Sequence, residues 1–238
     1  MELNTYPLVC TRGVVLYPNQ EIVIDVGRGA SVHAVENAQD NYDKKICLFS
    51  QKELEQENPG KEDIYPVGTL CEVRHIRRFD NFLRVKFRGI KRVKLNNWIN
   101  GSLSDLAEVE ILESEKQDAV EEEALIRMIA DELDRMQGQD RFVTKEIVME
   151  ISKGMGGEFL SDKAVQGLPL DIERKQQYLE TLGVNDRLMM LLQDMAKEKK
   201  MSEVEKQINE TVKERIEEKT GRGCEEIPIR ILQNSKRD

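Results

Sequence analysis

The chain reads as an α+β protein with its β part first, and three observations predict this. Before residue 113 the apolar runs are short, rich in β-branched residues and punctuated by Gly and Pro. After residue 113 the apolar positions take up a helical period. In the last third that period runs on for some 35 residues, a helix of roughly 50 Å at about 1.5 Å per residue, long for a compact domain.

Within the β part, apolar runs at residues 14–17, 22–26, 46–49, 67–73, 82–87, 93–95 and 103–112 predict strands. Gly68, Gly89, Gly101 and the Asn58-Pro59-Gly60 stretch supply turn chemistry around them. One helix interrupts the set at residues 30–39, started by Ser31 or Gly29, with Val32, Val35 and Ala38 on one face. Pro66 allows a strand to begin at Val67 but not to run through it. Residues 82–88 alternate cleanly: Leu83, Val85 and Phe87 point one way, Phe82, Arg84, Lys86 and Arg88 the other. Many strands with one short helix suggest a small twisted sheet or pseudo-barrel.

The helical part opens at residues 118–136, where Val120, Leu125, Met128, Ile129, Leu133 and Met136 form an apolar stripe. A second helix is predicted at 143–151 with Ile147, Val148 and Ile151 inward, and Gly154-Met155-Gly156-Gly157 breaks the chain after it. A short helix at 162–165, a turn at Leu168-Pro169-Leu170 and a helix at 171–182 capped by Asp171 follow. The long helix spans 184–218. Val184, Leu188, Leu191 and Met195 step by four, three and four, and Val204, Ile208, Val212 and Ile216 resume after the charged stretch 197–200. Its seam suits either self-association or packing on its own bundle. The expected organisation is a β-rich part at 1–113, a helical bundle at 114–183, the long helix at 184–220 and a frayed tail at 221–238.

Composition narrows the function classes. Charged residues make up 34% of the 238 residues against 5% aromatics, and the net charge is −9, which argues against bulk nucleic-acid binding and directs attention to local patches. Cys10, Cys47, Cys71 and Cys224 form no C-x-x-C, and His33 and His75 stand too far from them to complete a zinc set, so no metal is expected. Free thiols, no apolar run of membrane-spanning length and no secretory leader lead to the expectation of a cytoplasmic protein without a membrane partner. No Ser lies in a G-x-S-x-G setting, no phosphate loop G-x-x-x-x-G-K-[ST] occurs, and Cys71 and His75 on one strand lie about 13 Å apart. No catalytic or cofactor-binding residue is expected.

The sharpest local feature is basic. Nine of the 21 residues from 74 to 94 are Arg or Lys, opposed by Asp80 alone. Arg84, Lys86, Arg88 and Arg92 on this ribbon are candidates for binding acidic or unfolded substrates, or RNA phosphates. A solvated hairpin face, or pairing against Glu121-Glu122-Glu123, would account for the same charges. Trp98 is a candidate anchor near a turn. Eight of the nine methionines lie in the helical half, and consecutive Met189 and Met190 cannot both face one core, which offers an adaptable apolar contact. Core filling explains methionines equally well.

The opening Tyr6-Pro7-Leu8, Arg12, Val15, Pro18 and then Val26-Gly27-Arg28 resembles the start of Lon proteases. Val67-Gly68-Thr69, then Val85 to Val93 with Gly89 and Arg92, then Leu168-Pro169-Leu170 with Lys175-Gln176 and Leu179-Glu180, and finally Asp186-Arg187-Leu188, resemble further family segments in the same order. The resemblance implies a PUA-like β-rich subdomain, a helical bundle, and a long helix leading toward an ATPase module. It implies a non-catalytic domain that recognises or gates unfolded or damaged proteins and supports assembly of a hexameric, ATP-dependent protease. ATP, Mg2+ and the family's Ser–Lys pair would belong to segments beyond those matched. A stand-alone adaptor and an RNA-binding PUA-like module are the alternatives.

Overall fold

The computed structural model describes residues 4–136 and 154–220. The chain divides into two compact units, Met1–Gln193 and Asp194–Asp238. The predicted helix at 143–151 and the tail at 221–238 lie outside the described residues.

Six strands build one mixed sheet: β1 (Asn4–Thr11), β2 (Glu21–Val26), β3 (Lys45–Ser50), β4 (Val67–Arg78), β5 (Leu83–Ile99) and β6 (Leu106–Leu112). Their order is β2-β5-β4-β3-β1-β6, and β6 also pairs with β5, so five strands close on themselves. Only β1 and β3 run parallel, Leu8 standing opposite Cys47; the other pairings are antiparallel. The closure depends on β5. Its first half pairs with β2, Leu83 against Val26, and its second half with β6, Ile99 against Leu106. Register shifts at Leu70/Cys71, Val73/His75 and Leu95/Asn97 supply the local bends that closure needs.

Both faces of the inner strands are buried, in two cores. Ile46 and Leu48 of β3 join Val73, Val85 and Phe87 in one, and Cys47 and Phe49 join Leu70, Val93 and Val109 in the other. A strand covered on both sides has no polar face, which is why β3 reads as a continuous apolar run. The first core is roofed by α1 (Gly29–Asn41) through Ala34, Val35 and Ala38, with Val32 partly buried beside them.

Three sequence expectations change. The runs at 82–87 and 93–95 are one 17-residue strand. Gly89 lies between them because a Cβ there would stand 2.2 Å from the carbonyl oxygen of Tyr17. Residues 14–17 form no strand although Val15, Leu16 and Tyr17 are buried. Their carbonyls are taken by hydroxyls instead: Thr11 and Ser50 donate to Val14, and Thr69 donates to Leu16. Residues before 14, which hold none of the expected strands, contain the eight-residue β1.

The other described α-helices of the first unit are α2 (Ala119–Met136), α3 (Gly157–Gly167), α4 (Ile172–Glu180) and the start of α5 (Val184–Thr220). Asp171 caps α4 as expected, accepting from the Arg174 N–H at 2.7 Å. Leu125, Ile129 and Leu133 of α2 are buried, as are Leu160 and Val165 of α3 and Leu188 and Leu191 of α5. The short helix expected at 162–165 extends to 11 residues, starting at Gly157, whose N–H donates to Glu122 at 2.9 Å.

A buried ion pair fastens sheet to helices. The Arg92 guanidinium of β5 is 2% exposed and donates in bidentate fashion to Asp162 of α3, at 3.0 and 2.5 Å. Its Nε donates to the Leu179 carbonyl at 3.1 Å. Burial raises the Asp162 pKa, and the Arg92 charge opposes that rise. Around the pair, the Tyr17 hydroxyl donates to the Lys175 carbonyl at 2.7 Å, and Gln176 donates to the Val67 carbonyl at 2.7 Å. Arg187, also buried, donates to the Thr181 carbonyl and to the Ser114 hydroxyl.

Removing one partner of such a pair strands a buried charge. Asp162→Ala is expected to lower unfolding stability by about 3–5 kcal/mol in urea titration, and the double change Arg92→Leu with Asp162→Leu by much less. Equal losses in both variants would contradict the clamp.

Candidate functional site

Where β1 ends, Arg12 and Gly13 lead the chain away, Gly13 with a φ of 66°. Where β2 ends, Gly27 and Arg28 lead into α1, and Arg28 is the N-cap residue. These two exits lie side by side. The Arg28 guanidinium donates to the Cys10 carbonyl at 2.5 Å, to the Gln51 side chain at 2.8 Å and to the Glu57 carbonyl at 3.2 Å. Arg12 donates to the Gln56 carbonyl at 3.2 Å, and Gln51 donates to the same oxygen at 2.8 Å. Three of these bonds, to the Gln56 and Glu57 carbonyls, thus hold the 52–60 loop over the ends of β1 and α1.

Between that loop and the sheet lies a cleft of about 560 Å³. Leu8, Pro59 and Trp98 line it with apolar surface, Arg12 and Arg28 with positive charge, and Glu57 and Asp105 with negative charge. Its volume falls within the range of about 300–1,000 Å³ common to ligand sites. Trp98 is half-buried on β5 opposite Ala107, packed against the second core, with the cleft beside it. Cys10 also lines the cleft, and burial, the largest influence, pushes its thiol up to about 12. Burial, and then the charge of Arg12, lower the Arg28 pKa.

The basic ribbon is largely neutralised by carboxylates of the sheet, of α1 and of residue 113. Arg84 binds Asp25 through two hydrogen bonds of 2.7 Å, Lys86 lies 2.7 Å from Glu21, and Lys91 lies 2.8 Å from Glu113. Arg74 pairs with Glu72, and Arg78 with Glu36. The carboxylates are those of β2, β4, α1 and residue 113, not the expected 121–123 run. Arg92 leaves the ribbon altogether, since its charge is buried against Asp162. Arg88 and Lys94 remain exposed with no ion-pair partner among the described residues, and Arg77 stacks over the Phe79 ring.

On the first unit's part of α5, Met189 is exposed, while Met190 is half-buried with its sulfur 3.7 Å from the Thr181 hydroxyl. In the second unit, α5 exposes Met201, Val204, Ile208, Val212 and Ile216, each 43–56% accessible and separated by three or four residues. Among the predicted site residues, Trp98 alone lines the cleft. Arg84, Lys86 and Arg88 share the strand segment before Gly89, and Met189 and Met190 lie on a different element. Arg12, Arg28 and Cys10 were not singled out from sequence as site residues. Their signal was an Arg placed next to a Gly at the end of each of two strands.

A closed mixed sheet carrying an arginine-lined cleft, followed by a helical part and a long helix, defines a domain of the α+β class. Solved structures share this fold. The amino-terminal domain of Lon protease from the Mycobacterium avium complex matches with a TM-score of 0.66 at 17% identity, over 81% of this chain and 98% of that one. A Lon N-terminal domain protein from Xanthomonas campestris matches at 0.55 and 16%, over 79% and 97%. Residues 5–197 match the family described as the ATP-dependent protease La (LON) substrate-binding domain, and the chain belongs to that family. Among curated relatives, Lon protease of Syntrophomonas wolfei is 33% identical over 91% of this chain, and that of Buchnera aphidicola 31% over 91%. Lon protease of Escherichia coli is 31% identical over 89%. The chain spans 27–28% of the length of these relatives. Among the described residues no helix is long and apolar enough to cross a membrane.

A thiol titrating near 12 holds about a thousandfold less thiolate at pH 8 than one near 9. Iodoacetamide labelling of the folded chain, followed by peptide mapping, is expected to modify Cys10 at least about a hundredfold more slowly than the same peptide in urea. Equal rates would place Cys10 outside the packed wall of the cleft.

Proposed function

We propose that this chain is the substrate-recognition part of a Lon-type ATP-dependent protease, non-catalytic by itself. It recognises or gates unfolded and damaged proteins in the cytoplasm and helps assemble the oligomer. The observation that carries this reading is the match of residues 5–197 to a substrate-binding family. It is supported by a cleft whose lining mixes apolar surface with both signs of charge, as an extended polypeptide requires. ATP hydrolysis and peptide cleavage, with ATP and Mg2+, belong to the longer relatives' remaining segments, and the sequence holds no phosphate loop of its own.

The ribbon chemistry favours protein over RNA. Six of its nine cations, Arg74, Arg78, Arg84, Lys86, Lys91 and Arg92, already face carboxylates. A phosphate chain would have to displace them, and little net positive charge remains to release counterions. The adaptor reading shares the same recognition chemistry and differs in having a separate partner protein.

The exposed stripe of α5 supports the assembly role. An apolar row on a 37-residue helix gains free energy when a second copy covers it. The hexamer of the family is the expected assembly in the longer protein.

Two measurements test these roles. Fluorescence anisotropy with a carboxymethylated, unfolded protein is expected to show binding that changes less than about threefold between 50 and 300 mM salt, with none to its folded form. A loss of a hundredfold or more over that range, with tighter RNA binding, would replace this reading with the RNA one. Sedimentation equilibrium of the chain is expected to show association that Ile208→Lys weakens by at least about tenfold without lowering Tm. A chain monomeric at 100 μM would remove α5 from the assembly surface.

A further inference from the structure

We propose that the cleft between the ends of β1 and α1 is a subsite for an acidic side chain of an extended peptide, with flanking apolar side chains resting on Trp98 and Leu8. This rests on the substrate-binding reading and adds the chemistry of the segment recognised.

Charge carries the inference first. Arg12 and Arg28 line the same cleft, and neither lies within ion-pair distance of a carboxylate among the described residues. Every hydrogen bond they make ends on a neutral oxygen: the carbonyls of Cys10, Gln56 and Glu57 and the amide of Gln51. By contrast, Arg84 meets the Asp25 carboxylate and Arg92 that of Asp162. Two adjacent guanidiniums solvated only by dipoles repel one another, and a carboxylate between them relieves that repulsion with charge-assisted hydrogen bonds. Arg28 keeps two of its five N–H groups and Arg12 four of five for such a ligand.

Shape and the remaining lining decide between kinds of anion. Glu57 and Asp105 stand in the same cleft, so its formal charge is close to balanced. A polyphosphate or nucleic-acid backbone, with one negative charge after another, meets those carboxylates; a peptide with one acidic residue does not, and its backbone N–H groups can donate to them. The apolar wall of Leu8, Pro59 and Trp98 suits aliphatic neighbours of that residue and has no use for a phosphate. At about 560 Å³ the cleft accommodates a few residues, not a folded surface. Gly29, Ala30 and Ser31 of the first turn of α1 also line it, and that helix start, which has no side-chain cap, adds partial positive charge.

The protein carries a single tryptophan, and it lines the cleft, so its emission reports occupancy there directly. The 238-residue chain would be titrated with two acetylated, amidated decapeptides, identical except for a central Glu or Gln between leucines. Trp98 emission and the anisotropy of a dye on the peptide would be followed. The Glu peptide is expected to bind about tenfold more tightly and to shift Trp98 emission. Arg12→Gln, at an exposed position with one backbone contact, is expected to bring the two affinities together, and Arg12→Lys to preserve most of the difference. A thermal melt of each variant identifies any that fails to fold, and the peptide comparison then rests on the variants that do. Equal affinities for wild type, a preference unchanged in Arg12→Gln, or displacement by tripolyphosphate at lower concentration than by the Glu peptide would each overturn the subsite. Capture of unfolded protein with no Glu preference would remove the subsite alone. Failure to bind any unfolded chain would remove the substrate reading with it.

Discussion

Arg92 stands on β5 opposite Thr69 and Leu112, with its guanidinium turned into the protein. Left without a partner there, the charge would lose several kcal/mol of hydration with nothing in return. Asp162 and the Leu179 carbonyl satisfy it, and each comes from the helical part. The sheet is therefore complete only when α3 and α4 are docked in one orientation. The Tyr17 and Gln176 bonds lie within that same contact and serve to fix its angle, so the orientation is specified by direction-dependent bonds as well as by apolar area.

The cleft solves the same problem differently. Arg28 is also drawn partly out of water, yet it is held by carbonyl and amide oxygens, which offer dipoles and no compensating charge. The first arrangement uses a charge to join two layers, and it is closed. The second uses a charge to hold a loop, and leaves electrostatic demand for an anion from outside. Two arginines in one small domain thus take opposite roles because one faces Asp162 and the other faces peptide groups.

Much of the architecture was legible in the residues. The change of period near residue 113, the alternation at 83–88 and the Asp171 cap each map onto the elements they predict, because local chemistry decides them. Failures occurred where tertiary partners decide. Residues 14–17 look like a strand, but side-chain hydroxyls from three other strands take their carbonyls. Gly89 looks like a turn, and it is an interior residue of β5 kept small by the backbone of Tyr17. Arg92 has the same sequence context as its exposed neighbours, and only the approach of α3 distinguishes it. The cleft was the least legible feature, since Arg12, Arg28, the 52–60 loop and Trp98 are gathered from four places in the chain.

The closed ring of strands also sets an order in time. β1 is flanked by β3 on one side and by β6 on the other, so a chain emerging from the ribosome has no closed ring before residues 106–112 arrive. Arg92 waits longer, for Asp162 is 70 residues further on. Until then the nascent protein carries an unanswered charge in what will become its interior. A member of a substrate-binding family thus passes, during its own synthesis, through a state in which its own interior is exposed.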